Sequence, residues 1–305
     1  MQSTAISHPN KAIVIYWGNE DVELNTPTRT SLSMTLVGVS RKLDYTVSLK
    51  TEKNLERDKV IVDGKEDKGE IFDHFVRHLD SMRAYTRFKE KLLVTTSKTF
   101  PVGSGLAGSA AAASATAEAF AGLIRGGLDR KKISIMARRG SGSAARSVLG
   151  GFVKLQRGSD AQSTAVQLWD EKHWDLRDII VVVDAGQKKV KSRVGMALST
   201  RTCPEKLYAQ FVAIADPHVK AAGKAIASKS LQTLGSIYEE DNLFFRRVCM
   251  NTVPSLDYWS QATHDVFREV EELRQDSVPV FAGTDAGPNV HVLVEPKNLR
   301  KVVGA

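Results

Sequence analysis

Apolar positions along the chain follow two patterns: the short continuous runs of buried strands and the three-to-four-residue spacing of amphipathic helices. The run KAIVIY at 11–16 is followed by Trp17-Gly18, so it predicts a buried strand that ends in a turn. Helical spacing is clearest at 70–85, where apolar residues recur on one face. The same analysis predicts further strands at 31–39, 45–49, 59–63, 92–95 and 177–185, further helices at 110–123, 131–138, 205–229, 231–249 and 257–275, and a strand, tight turn and strand across 279–295.

A loop rich in glycine and serine precedes the alanine-rich helix predicted at 110–123. Its sequence, PVGSGLAGSAAAAS, predicts a phosphate-binding loop, because glycines let backbone amides approach an anion and a helix N-terminus attracts negative charge. The alternative is a glycine turn packed closely beneath a helix of small residues. No Gly-Lys-Ser/Thr follows the glycines, which excludes a Walker loop. The candidate phosphate-binding residues are Gly103, Ser104, Gly105, Gly108 and Ser109.

A second stretch of glycine and serine, RRGSGSAARSVLGGF, occupies 138–152. Ser141 and Ser143 can cap a helix whose first turn carries Arg146, so that hydroxyls, amides and a guanidinium converge on one anion. Arginine suits a carboxylate, because its planar fork donates two parallel hydrogen bonds. The alternative is a serine-capped helix with a solvated arginine. Near the C-terminal end, Asp285 lies in the turn DAGPN, where an aspartate commonly bonds only its own backbone.

The formal charge of +8 over 305 residues suggests an anionic partner, which is a nucleic acid, an acidic membrane or a phosphorylated metabolite. The basic residues lack the interleaved aromatics of a stacking platform, so we predict no nucleic-acid partner. No window approaches the roughly 20 apolar residues of a membrane span. We therefore expect no membrane partner and a cytoplasmic location. The two cysteines, Cys203 and Cys249, form no close-spaced metal pattern, which predicts neither a disulfide framework nor a zinc site.

Five motifs occur in order along the chain: YWG, PVGSGLAGSA, RRGSGSAARS, KVKSRVGM and DAGPN. Together they resemble the mevalonate diphosphate decarboxylase family of the GHMP kinase superfamily, over nearly the whole chain. The resemblance implies an α/β (α+β) fold of two domains, an N-terminal half like ribosomal protein S5 domain 2 at 1–186 and a ferredoxin-like half at 187–305. It also implies a carboxy-lyase of the mevalonate pathway, which serves isoprenoid biosynthesis, with its site between the halves.

The resemblance also implies roles for single residues. In the family's usual reaction, ATP phosphorylates the tertiary C3 hydroxyl of the substrate, after which phosphate and carbon dioxide leave together. Ser141 and Arg146 would hold the substrate carboxylate, and Asp285 would face the C3 oxygen. The glycine loop would hold the triphosphate of ATP. The implied catalytic residues are Asp285 and Arg146, and the implied substrate-binding residues are Tyr16, Asn19, Arg29, Ser141, Ser143 and Arg193, of which Tyr16 and Arg193 would meet the 5-phosphoryl end.

Several positions depart from the family's pattern, mostly on the nucleotide side. The motif YWGK ends in Asn19, so the lysine that accompanies the catalytic aspartate and arginine is absent. Other family residues are replaced as well: asparagines near the adenine by Lys98 and Thr99, asparagines before SLS by Arg29 and Thr30, and paired serines by Gly108 and Ser109.

These departures favour a substrate that arrives with its C3 phosphate attached and meets Arg29. The leading hypothesis is therefore decarboxylation of mevalonate 3,5-bisphosphate to isopentenyl phosphate, with no ATP and no metal. The alternative is decarboxylation of mevalonate 5-diphosphate, or of the 5-phosphate, with ATP and Mg²⁺, which the preserved glycine loop favours. A kinase that stops after C3 phosphorylation would share the fold, but Arg146 and Asp285 favour elimination. Homodimers are common in the family, and we expect one here.

Overall fold

The strands form sheets of five, four, three and two strands in the computed structural model, which describes residues 1–38, 43–100, 108–186 and 190–305. In chain order they are β1 (Gln2–Ser7), β2 (Asn10–Val14), β3 (Asn19–Asp21), β4 (Thr26–Pro27), β5 (Ser31–Thr35), β6 (Tyr45–Thr51), β7 (Lys59–Val62), β8 (Lys65–Asp67), β9 (Leu92–Lys98), β10 (Phe152–Leu155), β11 (Ala165–Trp169), β12 (Arg177–Val181), β13 (Val280–Thr284) and β14 (Val290–Val294).

The helices fill the two long connections and the chain's C-terminal half. In the described residues they are α1 (Glu70–Thr86), α2 (Gly108–Ala121), α3 (Arg130–Gly140), α4 (Ala144–Ser147), α5 (Ser192–Thr202), α6 (Glu205–Ala213), α7 (Ala215–Ala227), α8 (Leu231–Met250), α9 (Gln261–Gln275) and α10 (Leu299–Val303), with one 3₁₀ turn at Pro296–Asn298. None of these helices combines the length and apolar character needed to cross a membrane.

The two larger sheets are built from strands between β1 and β11, and the three-stranded sheet is built from β12, β13 and β14. The five-stranded sheet has the order β1-β6-β9-β7-β8, with β7 and β9 parallel and the other pairs antiparallel. The four-stranded sheet, β11-β10-β5-β2, and the three-stranded sheet, β12-β14-β13, are antiparallel. Because β12 pairs with β14, the C-terminal sheet takes a strand from before residue 187. The boundary between 186 and 187 stays a prediction.

Helix α2 is buried on every side, because its residues are small and apolar. It contacts β1 and β6 of the five-stranded sheet as well as α3 and α4. Ala113, Ala117 and Phe120 belong to the core that this sheet forms with its helices. From Ala110 onwards, close packing therefore holds α2 against the five-stranded sheet.

A second core joins strands of the N-terminal half to helices of the C-terminal half. Ile13 on β2 and Leu32 on β5 pack in one cluster with Ala222 on α7 and Tyr238 on α8. Phe281 on β13 lies in the same cluster. Strands β2 and β13 therefore share a hydrophobic core, which brings the ends of both strands to the same region.

The structure confirms the α/β class and divides one predicted helix. The single helix predicted at 205–229 is two helices, α6 and α7, on either side of Ile214. Pro217 has no amide hydrogen to donate to residue 213, so the helical hydrogen-bond ladder is interrupted there. The sequence analysis did not predict β1, because its polar and exposed alternation QSTAIS carries little apolar signal. It also missed α5, which begins at the end of the basic stretch 188–193.

Replacing Ala117 with Leu tests the packing of α2. Ala117 is fully buried, so the extra methylenes have no space, and we expect the free energy of unfolding to fall by about 1–3 kcal/mol. The measurement is equilibrium unfolding in urea. Ala209→Leu, at an exposed position of α6, is the matched control and should stay within about 0.5 kcal/mol of the unaltered protein. Equal unfolding midpoints for both variants would show that α2 is loosely packed.

Candidate functional site

A cavity of about 150 Å³ lies where the end of β2, the start of α2, helix α4 and the β13–β14 hairpin meet. Its walls combine apolar residues with a few convergent polar groups, which is the usual composition of a small-molecule site. Six of the residues predicted from the sequence line it: Tyr16, Ser109, Ser141, Ser143, Arg146 and Asp285.

Arg146 is the buried cation of this cavity. Arg146 lies on α4 and is 1% exposed. Its Nε donates to Ser33 Oγ at 2.8 Å, Nη2 donates to Asn10 Oδ1 at 3.1 Å, and Nη1 donates to Ser31 Oγ. All three acceptors are neutral, and Arg146 forms no ion pair within the part of the chain that the structure describes. Burial lowers the pKa of Arg146 to about 10, so it stays protonated at neutral pH and favours an anion in the cavity.

The carboxylate of Asp285 meets a lysine that the sequence analysis did not select. Lys11 Nζ lies 2.8 Å from Asp285 Oδ1. The lysine side chain is fully buried on β2, whereas the aspartate side chain is 27% exposed and lines the cavity. The cavity therefore has an anionic group, Asp285, supported from behind by an ammonium group.

Helix α8 positions two of the chain segments that line the cavity, the end of β2 and the end of β13. Asn242 bonds both backbone groups of Thr284, donating from Nδ2 to its carbonyl and accepting from its amide at 3.0 Å. Asp241 Oδ2 accepts from the amide of Ile15 at 2.7 Å. Thr284 directly precedes Asp285, and Ile15 directly precedes Tyr16. Two adjacent side chains of one helix thus fix the two segments relative to each other.

Tyr16 forms a neutral cluster with the residue that occupies the family's lysine position. Its hydroxyl donates to the Asn25 carbonyl at 2.9 Å and contacts Asn19 Oδ1, while Asn19 Nδ2 donates to Asn25 Oδ1 at 3.1 Å. Burial raises the pKa of Tyr16, so the phenol is protonated at neutral pH. A Cβ on Gly142 would overlap the Tyr16 ring, which explains the glycine between the two predicted serines.

The phosphate-loop prediction falls partly outside the described residues. Gly103, Ser104 and Gly105 lie in the segment 101–107, which the structure does not describe. Gly108 and Ser109 begin α2, and Ser109 lines the cavity. The first turn of α2 carries no acidic side chain, so none of its own carboxylates compensates the positive end of the helix.

The structure contradicts the role predicted for Arg29. Its side chain is fully buried, away from the cavity lining, and Nη2 lies 2.6 Å from Asp241 Oδ1. Its guanidinium stacks 3.7 Å from the ring centroid of Phe211. Burial acts to raise the pKa of Asp241, but the charge of Arg29 and hydrogen bonds from His218 and the Ile15 amide hold that pKa below its usual value. Arg29 is the counter-ion of Asp241, and a C3-phosphate site at Arg29 is wrong.

Two further predicted residues have surroundings that the sequence did not indicate. Ser143 occupies the N-cap position of α4, yet its side chain makes no capping hydrogen bond. Arg193 is partly exposed near the loop before β4, where Nη2 donates to the Val22 carbonyl at 3.1 Å. Ser192, the first residue of α5, lines the cavity instead.

Lys11 and Ser192 are the residues that sequence reasoning missed. A signal for Lys11 existed, because a charged residue inside an otherwise apolar strand needs a buried partner. Its partner, 274 residues away, carries no local mark in the sequence. Ser192 stood inside the motif KVKSRVGM, next to the arginine that was selected in its place.

A larger groove of about 880 Å³ lies between α7 and the strands β10 and β11. None of the predicted site residues lines it, and its charged residues on α7, Asp216, Lys220 and Lys224, are exposed. We therefore place the candidate site in the smaller cavity. Over the described ranges, no three His, Cys, Asp or Glu side chains lie close enough to hold a metal ion.

Comparison with known proteins gives matches over nearly the whole chain. Residues 7–166 match the diphosphomevalonate decarboxylase-like N-terminal domain, and residues 178–305 match the mevalonate 5-diphosphate decarboxylase C-terminal domain. The diphosphomevalonate decarboxylase of Candida albicans is 31% identical over 99% of this chain and 87% of its own length.

Solved structures match equally well. The crystal structure of mevalonate diphosphate decarboxylase from Staphylococcus aureus superposes with a TM-score of 0.92 at 32% identity, covering 100% of this chain and 91% of that one. A structure designated MDDEF, in complex with MVAPP, AMPPCP and magnesium, gives 0.91 at 30% identity, covering 100% and 92%. Because AMPPCP is an analogue of ATP, this finding contradicts the prediction that neither nucleotide nor metal takes part.

Arg29→Met separates a structural role of Arg29 from a substrate-binding role. Removing the guanidinium leaves the Asp241 carboxylate buried without its counter-ion, and we expect a loss of about 3–5 kcal/mol in the free energy of unfolding. The measurements are urea unfolding and the KM for the phosphorylated mevalonate. We expect this KM to be unchanged in the folded variant. Arg157→Met, at an exposed ion pair with Glu20, is the control and should cost less than about 1 kcal/mol. A stable Arg29→Met variant with a raised KM would contradict this assignment.

Proposed function

The chain belongs to the diphosphomevalonate decarboxylase family, and on that premise we propose that it decarboxylates mevalonate 5-diphosphate to isopentenyl diphosphate with ATP as the phosphoryl donor. The matches to known proteins confirm the family and the two-domain GHMP-kinase-like fold that the motifs predicted. The protein is a carboxy-lyase that acts on a phosphorylated mevalonate in the pathway to isoprenoids. The identity of that substrate and the use of ATP are our proposals.

The observation that carries the proposal is the buried guanidinium of Arg146 beside the carboxylate of Asp285 in one cavity. Arg146 is held by neutral acceptors, so its charge is available to the carboxylate of a substrate. A bidentate pair would fix the carboxylate carbon, which is the carbon that leaves as carbon dioxide. Ser141 is placed in the same wall to donate to that carboxylate.

Asp285 acts on the tertiary C3 hydroxyl. Its carboxylate orients the hydroxyl and accepts its proton while the C3 oxygen is phosphorylated. In the elimination, the C1–C2 bond breaks and its electron pair forms the C2–C3 double bond. The C3–O bond breaks at the same time, so phosphate and carbon dioxide leave. Asp285 passes the proton on to the new phosphoryl group before the elimination, so that its regained negative charge stabilises the positive character that develops at C3.

The residues present fit a nucleotide at the N-terminus of α2. Ser109, in the first turn of α2, lines the cavity, and that turn carries no competing carboxylate, so its amides and hydroxyl would suit a phosphate group. When bound, ATP supplies the phosphoryl group that turns the C3 hydroxyl into a good leaving group. Mg²⁺ commonly binds through phosphate oxygens and few protein ligands, which suits a site without a cluster of acidic side chains in the described residues.

The 5-phosphoryl end would lie towards Tyr16, Ser143 and Arg193. The protonated Tyr16 hydroxyl and the cationic side chain of Arg193 both suit a diphosphate, and Asn19 supports the tyrosine. We also keep the homodimer and the cytoplasmic location as predictions.

The proposal is tested by measuring carbon dioxide release and ADP formation by the purified protein. With mevalonate 5-diphosphate, ATP and Mg²⁺, we expect one carbon dioxide per ADP, and no release when ATP is omitted. A parallel reaction with mevalonate 3,5-bisphosphate and no nucleotide should give none. Turnover of the 5-phosphate alone would replace the proposed substrate, and release without ATP would overturn the proposed phosphoryl donor. ADP without carbon dioxide would identify a kinase.

Arg146→Lys tests the carboxylate site. Lysine keeps the positive charge but loses the planar fork, and we expect kcat/KM for the phosphorylated mevalonate to fall by about 100-fold. The KM for ATP should change little, because Arg146 is assigned to the carboxylate alone. Arg130→Lys, at an exposed ion pair with Glu118, is the matched control and should have normal kinetics. Normal turnover by Arg146→Lys would refute this assignment.

A further inference from the structure

The groove between α7 and the strands β10 and β11, here called the α7 groove, has the size of a binding site but no part in the proposed reaction. Its volume of about 880 Å³ lies within the range of roughly 300–1,000 Å³ that sites for small organic molecules occupy. Helix α7 lines it with one face, because the lining residues recur every three or four positions. They are Asp216, Val219, Lys220, Gly223, Lys224 and Ala227.

Three lysines give the α7 groove a positive charge that the protein leaves unmatched. Lys154 is half-buried on β10, between two fully buried neighbours, and Lys220 and Lys224 face the groove from α7. None of the three forms an ion pair with another residue that the structure describes. Lys220 and Lys224 are four residues apart on one helix, an arrangement in which like charges repel. Among the described lining residues only Asp216 carries a carboxylate, so the groove favours an anion with more than one negative charge.

The remaining walls of the α7 groove are apolar and hold an unexplained glycine. Leu168 and Trp169 line it from β11, and the Trp169 ring stacks on His173 with 5.5 Å between the centroids. Gly223 faces that ring from the interior of α7, where alanine would be the better helix former. A Cβ at this position would lie 3.8 Å from Trp169, which is an ordinary contact. Packing therefore does not require the glycine, whose effect is to keep the space beside Trp169 open.

We propose that the α7 groove is a second binding site, which takes an organic diphosphate with a hydrocarbon tail. The diphosphate lies between Lys154, Lys220 and Lys224, since lysine ammonium groups bind phosphate oxygens as point charges. The tail lies over Trp169 and Gly223, where it is removed from water.

The product of the proposed reaction, isopentenyl diphosphate, has this chemistry with a short branched tail. A longer prenyl diphosphate would fill more of the groove. The choice of a prenyl tail rests on the proposed function, whereas the site for a diphosphate with an apolar tail does not.

The first experiment compares three probes by isothermal titration calorimetry with the unaltered protein. They are geranyl diphosphate, isopentenyl diphosphate and inorganic pyrophosphate. We expect pyrophosphate to bind at least about tenfold more weakly than the tighter of the two prenyl diphosphates, because it buries no apolar surface. Tighter binding of geranyl diphosphate would indicate a longer prenyl diphosphate as the ligand, and tighter binding of isopentenyl diphosphate the reaction's own product. Both results support the proposed class.

Two lysine variants locate the diphosphate. Lys154→Met and Lys220→Met each remove one ammonium group, and we expect the Kd for geranyl diphosphate to rise by about tenfold in each. Lys206→Met, at an exposed position of the neighbouring helix α6, is the matched control and should bind normally. Arg193→Met, at the predicted phosphoryl end of the catalytic cavity, should also leave this Kd unchanged. Circular dichroism checks that each variant is folded.

Gly223→Ala locates the tail. The added methyl group enters the space beside Trp169, so we expect weaker binding of geranyl diphosphate, by about fivefold, and binding of pyrophosphate within about twofold of the unaltered protein. Alanine favours the helix, so this variant should fold at least as stably. A purely structural role of Gly223 would change neither affinity.

The outcomes separate this site from the proposed function. The site is refuted if the folded, unaltered protein binds neither prenyl diphosphate, or if it binds them no more tightly than pyrophosphate. It is also refuted if Arg193→Met weakens binding and the two lysine variants do not, because the ligand then lies in the catalytic cavity. A protein that binds geranyl diphosphate through Lys154 and Lys220 but releases no carbon dioxide with ATP would retain the site and lose the proposed function.

Discussion

The geometry of the candidate site depends on the interactions of one buried carboxylate, that of Asp241. It accepts hydrogen bonds from Arg29, His218 and the backbone of Ile15, all inside the core. The adjacent Asn242 secures the end of β13. One turn of α8 thereby holds the two segments that carry Tyr16 and Asp285. Arg29 matters to this arrangement because it makes a charged anchor tolerable in the interior.

The two charged groups of the cavity, Arg146 and Asp285, have different surroundings. Arg146 is buried among neutral acceptors. Burial lowers the pKa of Arg146, but the side chain keeps its proton at neutral pH. Asp285 has an ammonium group behind it and the cavity in front. In the proposed reaction, the substrate carboxylate would meet the guanidinium, while the tertiary oxygen would meet the aspartate. The same two side chains would then set both the orientation of the substrate and the polarity of the bonds that break.

The sequence predicted the family, the fold class and much of the cavity because these depend on local signals. Glycine loops, serines before a short helix and an aspartate in a turn are readable from neighbouring residues. The role of Arg29 was misjudged because its partner, Asp241, lies 212 residues away and the burial of an arginine is set by the tertiary fold. The ion pair between Lys11 and Asp285 was not predicted either. The ion pair between β2 and the β13–β14 hairpin joins residues that are distant in sequence, so it is visible only in the folded structure.

The location of Lys11 on a strand has a consequence for stability. Its backbone is held in the ladder with β5, so the sheet itself keeps the ammonium group beside Asp285. This arrangement costs stability, since an apolar residue in β2 would bury more easily. A substitution that made the protein more stable at this strand would therefore remove the ion pair that links β2 to the β13–β14 hairpin.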